Sequence, residues 1–297
     1  MKSTKSDPKA IPIYTTQNPF DIHFLFLRYA YEDGSVEDFS TTQDSNKYDY
    51  PMFTDGLNHG YIDLQNGSIY ILKGKKMYLW SFELSPAVEI PELALPLVAP
   101  LNSYESFATQ NGVGFITQLF ETFVFQDGQW KEGARFPWPS TNFELACATF
   151  IPENDNMVYI TGGWDNGDVD VIYRYDIEND VYEEPGFNLR KPNRRHACTG
   201  FVQNGNEYLV VAGGTAGNQV SIYSIPDGSH RALQSHPAVI NSVRMINFQG
   251  YFYITERDDT GDKIWRMKIE DDGSSSWEEF GKLEGNSAFT WIIPYNF

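Results

Sequence analysis

Two acidic segments of the sequence hold the residue types that could bind a hard cation. The first is Asp165-Asn166-Gly167-Asp168-Val169-Asp170, and the second covers residues 256–262 and includes Asp258 and Asp259. Oxygen-bearing side chains that alternate around a glycine can wrap Ca²⁺, but neither segment has the spacing or the terminal bidentate glutamate of an EF-hand. We therefore expect solvated turns, with Asp165, Asp168 and Asp170 as the alternative calcium ligands. No other metal and no cofactor is expected.

A second group of residues is suited to recognition rather than to catalysis. Arg190, Lys191, Arg194 and Arg195 form a dense basic cluster, and arginine and aromatic side chains dominate binding hot spots. The candidate binding residues are Tyr48, Tyr50, Phe53, Trp138, Trp164, Asp165, Asp168, Arg190, Arg194, Arg195, Asp258 and Asp259. Structural roles are the alternative: Trp138 lies between two prolines and could fill a gap between structural units, while Arg194 and Arg195 could brace an acidic loop.

Charge and hydropathy exclude several classes of function. The formal net charge of -18 and the pI near 4.6 would repel nucleic acids and anionic lipid surfaces. No stretch approaches the roughly 18 apolar residues of a membrane span, so membrane insertion is not expected. The first residues lack the apolar run of a signal peptide, which favours the cytoplasm. The alternative is a secreted protein present in its processed form.

The elements that would position these residues follow from a repeat. An apolar run ends in Gly162-Gly163 and is followed by Tyr173; a second run ends in Gly213-Gly214 and is followed by Tyr223. Equivalent anchor residues recur at intervals of 42 to 51 residues, at Leu27, Tyr78, Phe123, Tyr173, Tyr223 and Trp265. Such a spacing is typical of repeats that each form one small sheet.

Turn residues support the same register. Asp-Gly, the strongest short hairpin signal, follows the anchor strand at Asp33, Asp127, Asp227 and Asp272. Two further apolar segments precede each anchor, so each repeat is predicted to be a four-stranded antiparallel meander, with strands A to D. The first repeat lacks strand A, and the spare apolar segment 288–294 is predicted to supply it.

The diglycines, the tyrosines of strand C, the aromatics of strand D and the Arg194-Arg195-His196-Ala197-Cys198 segment together resemble kelch repeats. The resemblance implies an all-β, six-bladed β-propeller of four-stranded antiparallel blades, closed by the C-terminal strand joining the first blade. We expect one domain over residues 1–297, with blades at 10–45 plus 287–297, 58–98, 104–138, 143–190, 195–235 and 240–283. In this interpretation Gly162, Gly163, Gly213 and Gly214 serve blade packing, as do Tyr173, Tyr223 and Trp265.

The residue patterns of enzymes related to kelch propellers are incomplete in this chain. The five histidines offer no Tyr-x-x-His arrangement for a copper oxidase, and Pro51 stands where an iron site like that of nitrile-specifier proteins would need a glutamate before Asp55 and His59. Residues 271–277 resemble a sialidase Asp-box, but the tryptophan falls one position late. We therefore expect no enzyme. The alternative is a carbohydrate-active or glycan-binding propeller with its site at the mouth of the central channel.

The two cysteines, Cys147 and Cys198, occupy the same position of successive repeats. Equivalent positions of neighbouring blades are usually further apart than the roughly 4.4–6.8 Å Cα separation that a disulfide needs. The prediction is therefore two buried free thiols.

Strand polarity places the B–C loops and the D–A linkers on one face, and this face carries the longest segments. Loops on a rigid scaffold are where binding usually resides. The predicted function is a monomeric, non-enzymatic scaffold that binds a protein or peptide on this face. The acidic chain favours a partner of basic character.

Overall fold

The computed structural model describes residues 11–17, 25–30, 36–38, 59–63, 68–73, 75–81, 88–96, 106–118, 120–138, 145–240, 245–248, 250–258, 261–270, 272–283 and 287–292. Within these ranges the protein is all-β, with 24 strands and two short 3-10 helices. None of the described helices is long and apolar enough to cross a membrane.

The strands form six four-stranded antiparallel sheets. The first sheet contains β1 (Ile11–Gln17), β2 (Leu25–Ala30), β3 (Val36–Asp38) and β24 (Ser287–Ile292). The second contains β4 (His59–Asp63), β5 (Ser68–Lys73), β6 (Lys76–Ser81) and β7 (Val88–Glu89). The third contains β8 (Ser106–Gln110), β9 (Val113–Gln118), β10 (Glu121–Gln126) and β11 (Gln129–Glu132).

The remaining three sheets follow in the order of the chain. The fourth contains β12 (Cys147–Ile151), β13 (Asn154–Thr161), β14 (Ile172–Asp176) and β15 (Val181–Glu183). The fifth contains β16 (His196–Gln203), β17 (Asn206–Gly213), β18 (Val220–Ser224) and β19 (His230–Ala232). The sixth contains β20 (Met245–Phe248), β21 (Tyr251–Asp258), β22 (Gly261–Ile269) and β23 (Ser275–Leu283). The 3-10 helices are Pro91–Leu93 and Gly214–Ala216.

The predicted four-stranded antiparallel sheets are confirmed, and the six anchor residues all lie in the third strand of their sheet. The local chemistry explains the turns. Asp127 and Gly128 both have positive φ values, 53° and 75°, and join β10 to β11 in a two-residue hairpin. Such a turn needs a left-handed backbone at both central residues, which Asp-Gly provides at little cost.

The hydrophobic core lies between neighbouring sheets rather than in one central mass. Consecutive residues of β12 point to opposite faces, so Cys147 packs in the cluster shared with the fifth sheet and Ala148 in the cluster shared with the third. In β9, Phe115 packs in the cluster shared with the fourth sheet, and Ile116 packs in the cluster shared with the second. Because both faces of these strands are buried, their sequences are almost continuously apolar.

Contacts between sheets run in chain order from the second sheet to the sixth. The first strands of consecutive sheets touch, with β4 against β8, β8 against β12, β12 against β16 and β16 against β20. Strand β24 pairs with β1, through Ile13 with Ile292 and Tyr14 with Trp291, and also contacts β21 and β22 of the sixth sheet. Residues 287–292 therefore join the first sheet to the sixth.

The prediction of two free thiols is wrong: Cys147 and Cys198 form a disulfide. Their Cα atoms are 6.0 Å apart, within the range that a disulfide needs. The expectation failed because β12 and β16 lie side by side as the first strands of neighbouring sheets, where the sheets approach most closely.

Gly200 makes this close approach of β12 and β16 possible. Its N–H donates to the Thr149 hydroxyl at 3.2 Å, and a Cβ atom added at this position would lie 2.3 Å from the Phe150 carbonyl oxygen. Any side chain would push the two strands apart. The glycine and the disulfide therefore belong to one tightly packed seam between the fourth and fifth sheets.

Candidate functional site

The loop between β13 and β14, residues 162–171, is a compact turn. Gly162 and Gly163 have φ values of 59° and 123°, Trp164 and Asp168 form an isolated antiparallel bridge, and the Asp165 N–H donates to the Gly167 carbonyl at 2.9 Å. Backbone bonds of this kind fix the loop on the end of the sheet. The acidic segment predicted from the sequence therefore has a defined shape.

The linker between β15 and β16, residues 184–195, packs along this turn. The Gly163 N–H donates to the Asn193 carbonyl at 2.8 Å, and the Asn193 N–H donates to the Val169 carbonyl at 3.0 Å. A third bond joins the Leu189 N–H to the Asp170 carbonyl at 2.7 Å. Loop and linker thus form one surface. We call the surface of residues 162–171, 184–195, 214–219 and 233–240 the loop face.

Several of the predicted binding residues meet on the loop face. Arg194 Nε lies 3.2 Å from Asp168 Oδ1, and the Arg194 guanidinium lies 5.9 Å from the centre of the Trp164 ring. Trp138 Nε1 donates to Asp165 Oδ2 at 3.0 Å. Arg194 thus braces the acidic loop, and Trp138 packs against the core between the third and fourth sheets.

The calcium alternative finds no support in this geometry. Asp165 accepts hydrogen bonds from Trp138 and from the Asn166 amide, and Asp168 is paired with Arg194. Over the described ranges, no group of three or more His, Cys, Asp or Glu side chains is placed to hold a metal ion.

The other basic residues of the cluster are exposed. Arg190 donates its backbone N–H to the Tyr223 hydroxyl at 3.0 Å, and Lys191 Nζ donates to Gln219 Oε1 at 3.2 Å. Arg195 has a φ of 55° and donates its N–H to the Leu145 carbonyl at 3.0 Å, which leaves its side chain facing solvent. Arg190 and Arg195 thus carry their charge from backbone positions that hydrogen bonds hold in place.

Asn193 is a central residue of the loop face that sequence reasoning missed. Its side chain is buried, donates from Nδ2 to the Gly213 carbonyl at 2.9 Å, and accepts at Oδ1 from the Thr215 hydroxyl at 3.1 Å. It therefore ties the linker to the second diglycine. Nothing in the residue type separates Asn193 from the exposed asparagines of the chain, although its place between Pro192 and the arginines could have drawn attention to it.

Other candidates fall elsewhere. At residues 256–262 the strand pairing extends further into the connection than expected, because β21 continues through Asp258, which pairs with Gly261 at the start of β22. These residues form a strand hairpin, since Glu256 and Arg257 pair with Lys263 and Asp262 in the ladder. Tyr48, Tyr50, Phe53 and Asp259 lie outside the described residues.

The diglycine positions leave no room for side chains. A Cβ atom at Gly162 would lie 2.3 Å from the Asn193 carbonyl oxygen, and one at Gly213 would lie 2.6 Å from the Ile240 carbonyl oxygen. Both glycines also have positive φ. The pairs let the linkers cross close to the strand ends, so they shape the loop face without supplying chemistry to it.

His196 is a buried titratable group beneath the loop face. Its Nε2 lies 2.8 Å from the Thr161 hydroxyl, while no described group bonds its Nδ1. Burial lowers the pKa of His196 to about 4, because the cation would lose its hydration. The neutral imidazole is therefore the form that the folded protein accepts.

This depressed pKa makes stability depend on pH. The stability that the neutral, buried His196 contributes is fully present above the unfolded-state pKa of about 6.5, and it is lost as the pH falls toward 4. At pH 4.5 the cost is expected to be about 2 to 3 kcal/mol. Urea unfolding at pH 7.5 and pH 4.5 should show that His196→Gln loses less stability on acidification than the wild type by this amount. An equal loss of stability in the wild type and in His196→Gln would show that the pKa of His196 does not differ between the folded and unfolded states.

No protein-family model matches the chain, and no curated protein matches it.

Proposed function

We propose that this chain is a six-bladed, kelch-like β-propeller that acts as a non-enzymatic scaffold and binds a protein or peptide on its loop face. Six four-stranded antiparallel sheets, contacts between the first strands of consecutive sheets, and the pairing of β24 with β1 support the propeller. In a closed ring the first and second sheets would also be neighbours, which completes the circle.

One observation carries the binding function: the loop and linker segments of the fourth and fifth sheets hold aromatic and cationic side chains on a rigid surface. Trp164, Arg194 and Asp168 brace one another, and the exposed Arg195 follows Arg194 in the sequence. Surfaces that are preorganised in this way lose little conformational entropy when a partner binds. Arginine and tryptophan are also the side chains most enriched at binding hot spots.

The test is a charge reversal that leaves the brace intact. Arg195→Glu changes an exposed side chain and keeps the backbone bond to Leu145, so folding should be unchanged. Lys131→Glu, in the hairpin strand β11, is the matched control. We expect Arg195→Glu to weaken capture of a partner from the native source by about tenfold, as for loss of a typical hot-spot contact.

The comparison of the three proteins decides the outcome. Loss of the partner from Arg195→Glu but not from Lys131→Glu, followed by calorimetry with the purified partner, would support binding on the loop face. Equal recovery by the wild type and both variants would place the binding surface elsewhere. Recovery of no partner by any of them would count against a scaffold.

We also propose that the chain works in an oxidising compartment. The Cys147–Cys198 disulfide supports this, because disulfides persist in secreted proteins and are reduced in most cytosols. It favours the secreted alternative over the cytoplasm. Thiol alkylation of the protein as taken from its native source, before any reductant is added, would contradict this proposal if both cysteines reacted.

A further inference from the structure

A small pocket of about 140 Å³ lies between the linker 184–195 and strands β18 and β19 of the fifth sheet. Its apolar wall includes the buried side chains of Leu189, Val220 and Leu233, and Ser221 and Tyr223 add hydroxyl groups. This volume is well below the roughly 300 Å³ of a drug-sized site, so the pocket suits a short chain of a few heavy atoms.

The charge of the pocket is opposite to that of the protein. Arg190 and Lys191 line it, and none of its lining residues is acidic. The whole chain, by contrast, has 40 acidic and 22 basic residues. Two neighbouring cations without a carboxylate are therefore a local exception that favours an anion at this place.

Among the described residues, Arg190 also lacks the carboxylate partner that three other arginines have. Arg174 is paired with Glu183, Arg194 with Asp168 and Arg266 with Glu278. Within the described ranges the Arg190 guanidinium makes no ion pair or hydrogen bond, while its backbone N–H is held by the Tyr223 hydroxyl at 3.0 Å. The side chain is thus anchored at its base and has its five N–H donors available for a carboxylate.

We propose that this pocket binds a carboxylate carried on a short aliphatic chain. The carboxylate lies against Arg190 and Lys191, and the aliphatic part contacts Leu189, Val220 and Leu233. The same chemistry is present in a free short-chain carboxylic acid and in the C-terminal residue of a peptide. Most of this pocket lies within the loop face, but it is tested at Arg190 whereas the scaffold function is tested at Arg195, so that either proposal can fail without the other.

The test uses three probes of similar size that carry the same branched alkyl group and differ in charge. Isovalerate, isovaleramide and isoamylamine are titrated into the full chain at low salt, and binding is followed by NMR chemical shifts of backbone amides. We expect isovalerate to bind with a Kd on the order of 1 mM, given its few heavy atoms. The neutral amide should bind about tenfold more weakly, and the amine should not bind. Shifts should concentrate at residues 189–193, 219–223 and 232–235.

Two variants locate the site. Arg190→Gln keeps the backbone bond to Tyr223 and should weaken isovalerate binding about tenfold, as should Ala232→Leu, which fills the pocket. Lys131→Gln is the matched control and should bind as the wild type does. Raising the salt concentration should weaken acid binding but not amide binding.

The source of the carboxylate is resolved by acetyl-Gly-Leu with a free C-terminus and by its C-terminal amide. Tighter binding of the free dipeptide than of isovalerate assigns a peptide C-terminus, and weaker binding assigns a free acid; both support a carboxylate site. Equal affinity for isovalerate and isovaleramide, unchanged binding by Arg190→Gln, or no shifts at about 100 mM isovalerate would overturn the proposal.

Discussion

Loss of the Cys147–Cys198 disulfide is expected to lower the free energy of unfolding by about 4 kcal/mol, because it closes a loop with a sequence separation of 51 and so restricts the unfolded chain. Both sulfur atoms are buried, and the Cys147 Sγ also lies 3.8 Å from the Cys198 carbonyl oxygen. The replacement Cys147→Ala with Cys198→Ala removes the bond and adds no polar atom to the core. Its unfolding midpoint in urea should fall well below that of the oxidised wild type.

Reduction of the wild type provides the matched control for the disulfide. The reduced protein should resemble the double alanine variant, since both lack the cross-link, and the variant itself should be insensitive to reductant. The unreduced protein is denatured in the presence of an alkylating reagent and then measured by mass spectrometry. Neither cysteine should be alkylated. Alkylation of both, or equal stability with and without reductant, would show that the bond is not formed in solution.

Gly214→Ala is the second substitution with a large expected effect. A Cβ atom at Gly214 would lie 2.3 Å from the Arg194 carbonyl oxygen and 2.4 Å from Asn193 Oδ1, at a residue whose φ is 71°. Neither oxygen can easily move, because Asn193 is bonded to Gly213 and Arg194 accepts from the Thr215 N–H. We expect Gly214→Ala to lower the free energy of unfolding by about 3 to 5 kcal/mol, because of steric strain and the broken hydrogen bonds.

Gly217 offers a closely matched control for Gly214. It shares the positive φ, at 76°, but has no heavy atom within 4 Å of an added Cβ. Gly217→Ala should therefore cost only the backbone strain of its positive φ, about 1 to 3 kcal/mol. Thermal and urea unfolding of the two variants would separate crowding from backbone strain. Equal losses of stability in Gly214→Ala and Gly217→Ala would mean that the close approach of the linker to Gly214 does not contribute to the effect.

The sequence predicts the sheets well because their signals are local. Tyr173 and Tyr223 repeat in equivalent strands, and Asp127-Gly128 specifies its own hairpin through the φ values that these residues adopt readily. The strands could therefore be located without knowledge of the tertiary contacts.

Features that depend on distances between sheets could not be predicted in this way. The disulfide depends on the 6.0 Å separation of Cys147 and Cys198, which the packing of Gly200 against Phe150 makes possible. The role of Asn193 depends on which carbonyl its amide reaches. The hairpin at Asp258 shows a further limit, since an acidic composition suggested a loop where the cross-strand pairing continues.

The candidate site is intermediate between these two cases. Strand polarity brings the β13–β14 loop and the β15–β16 linker to the same edge, so Trp164 and Arg194 could be assigned to one surface from the sequence. The pairing of Arg194 with Asp168, and the lack of a partner for the Arg190 guanidinium among the described residues, depend on side-chain conformations that no sequence pattern encodes.

The pairing of β1 with β24 also bears on the order in which the protein folds. Ile13 pairs with Ile292, whereas the strands of the other sheets are built from neighbouring segments of the chain. During synthesis the first sheet can acquire its β24 strand only after nearly all the other strands have left the ribosome. Until then β1 presents an unpaired edge that a strand of another chain could occupy. Pairings over such long sequence separations form slowly, so assembly of the first sheet is expected to be the last step of folding.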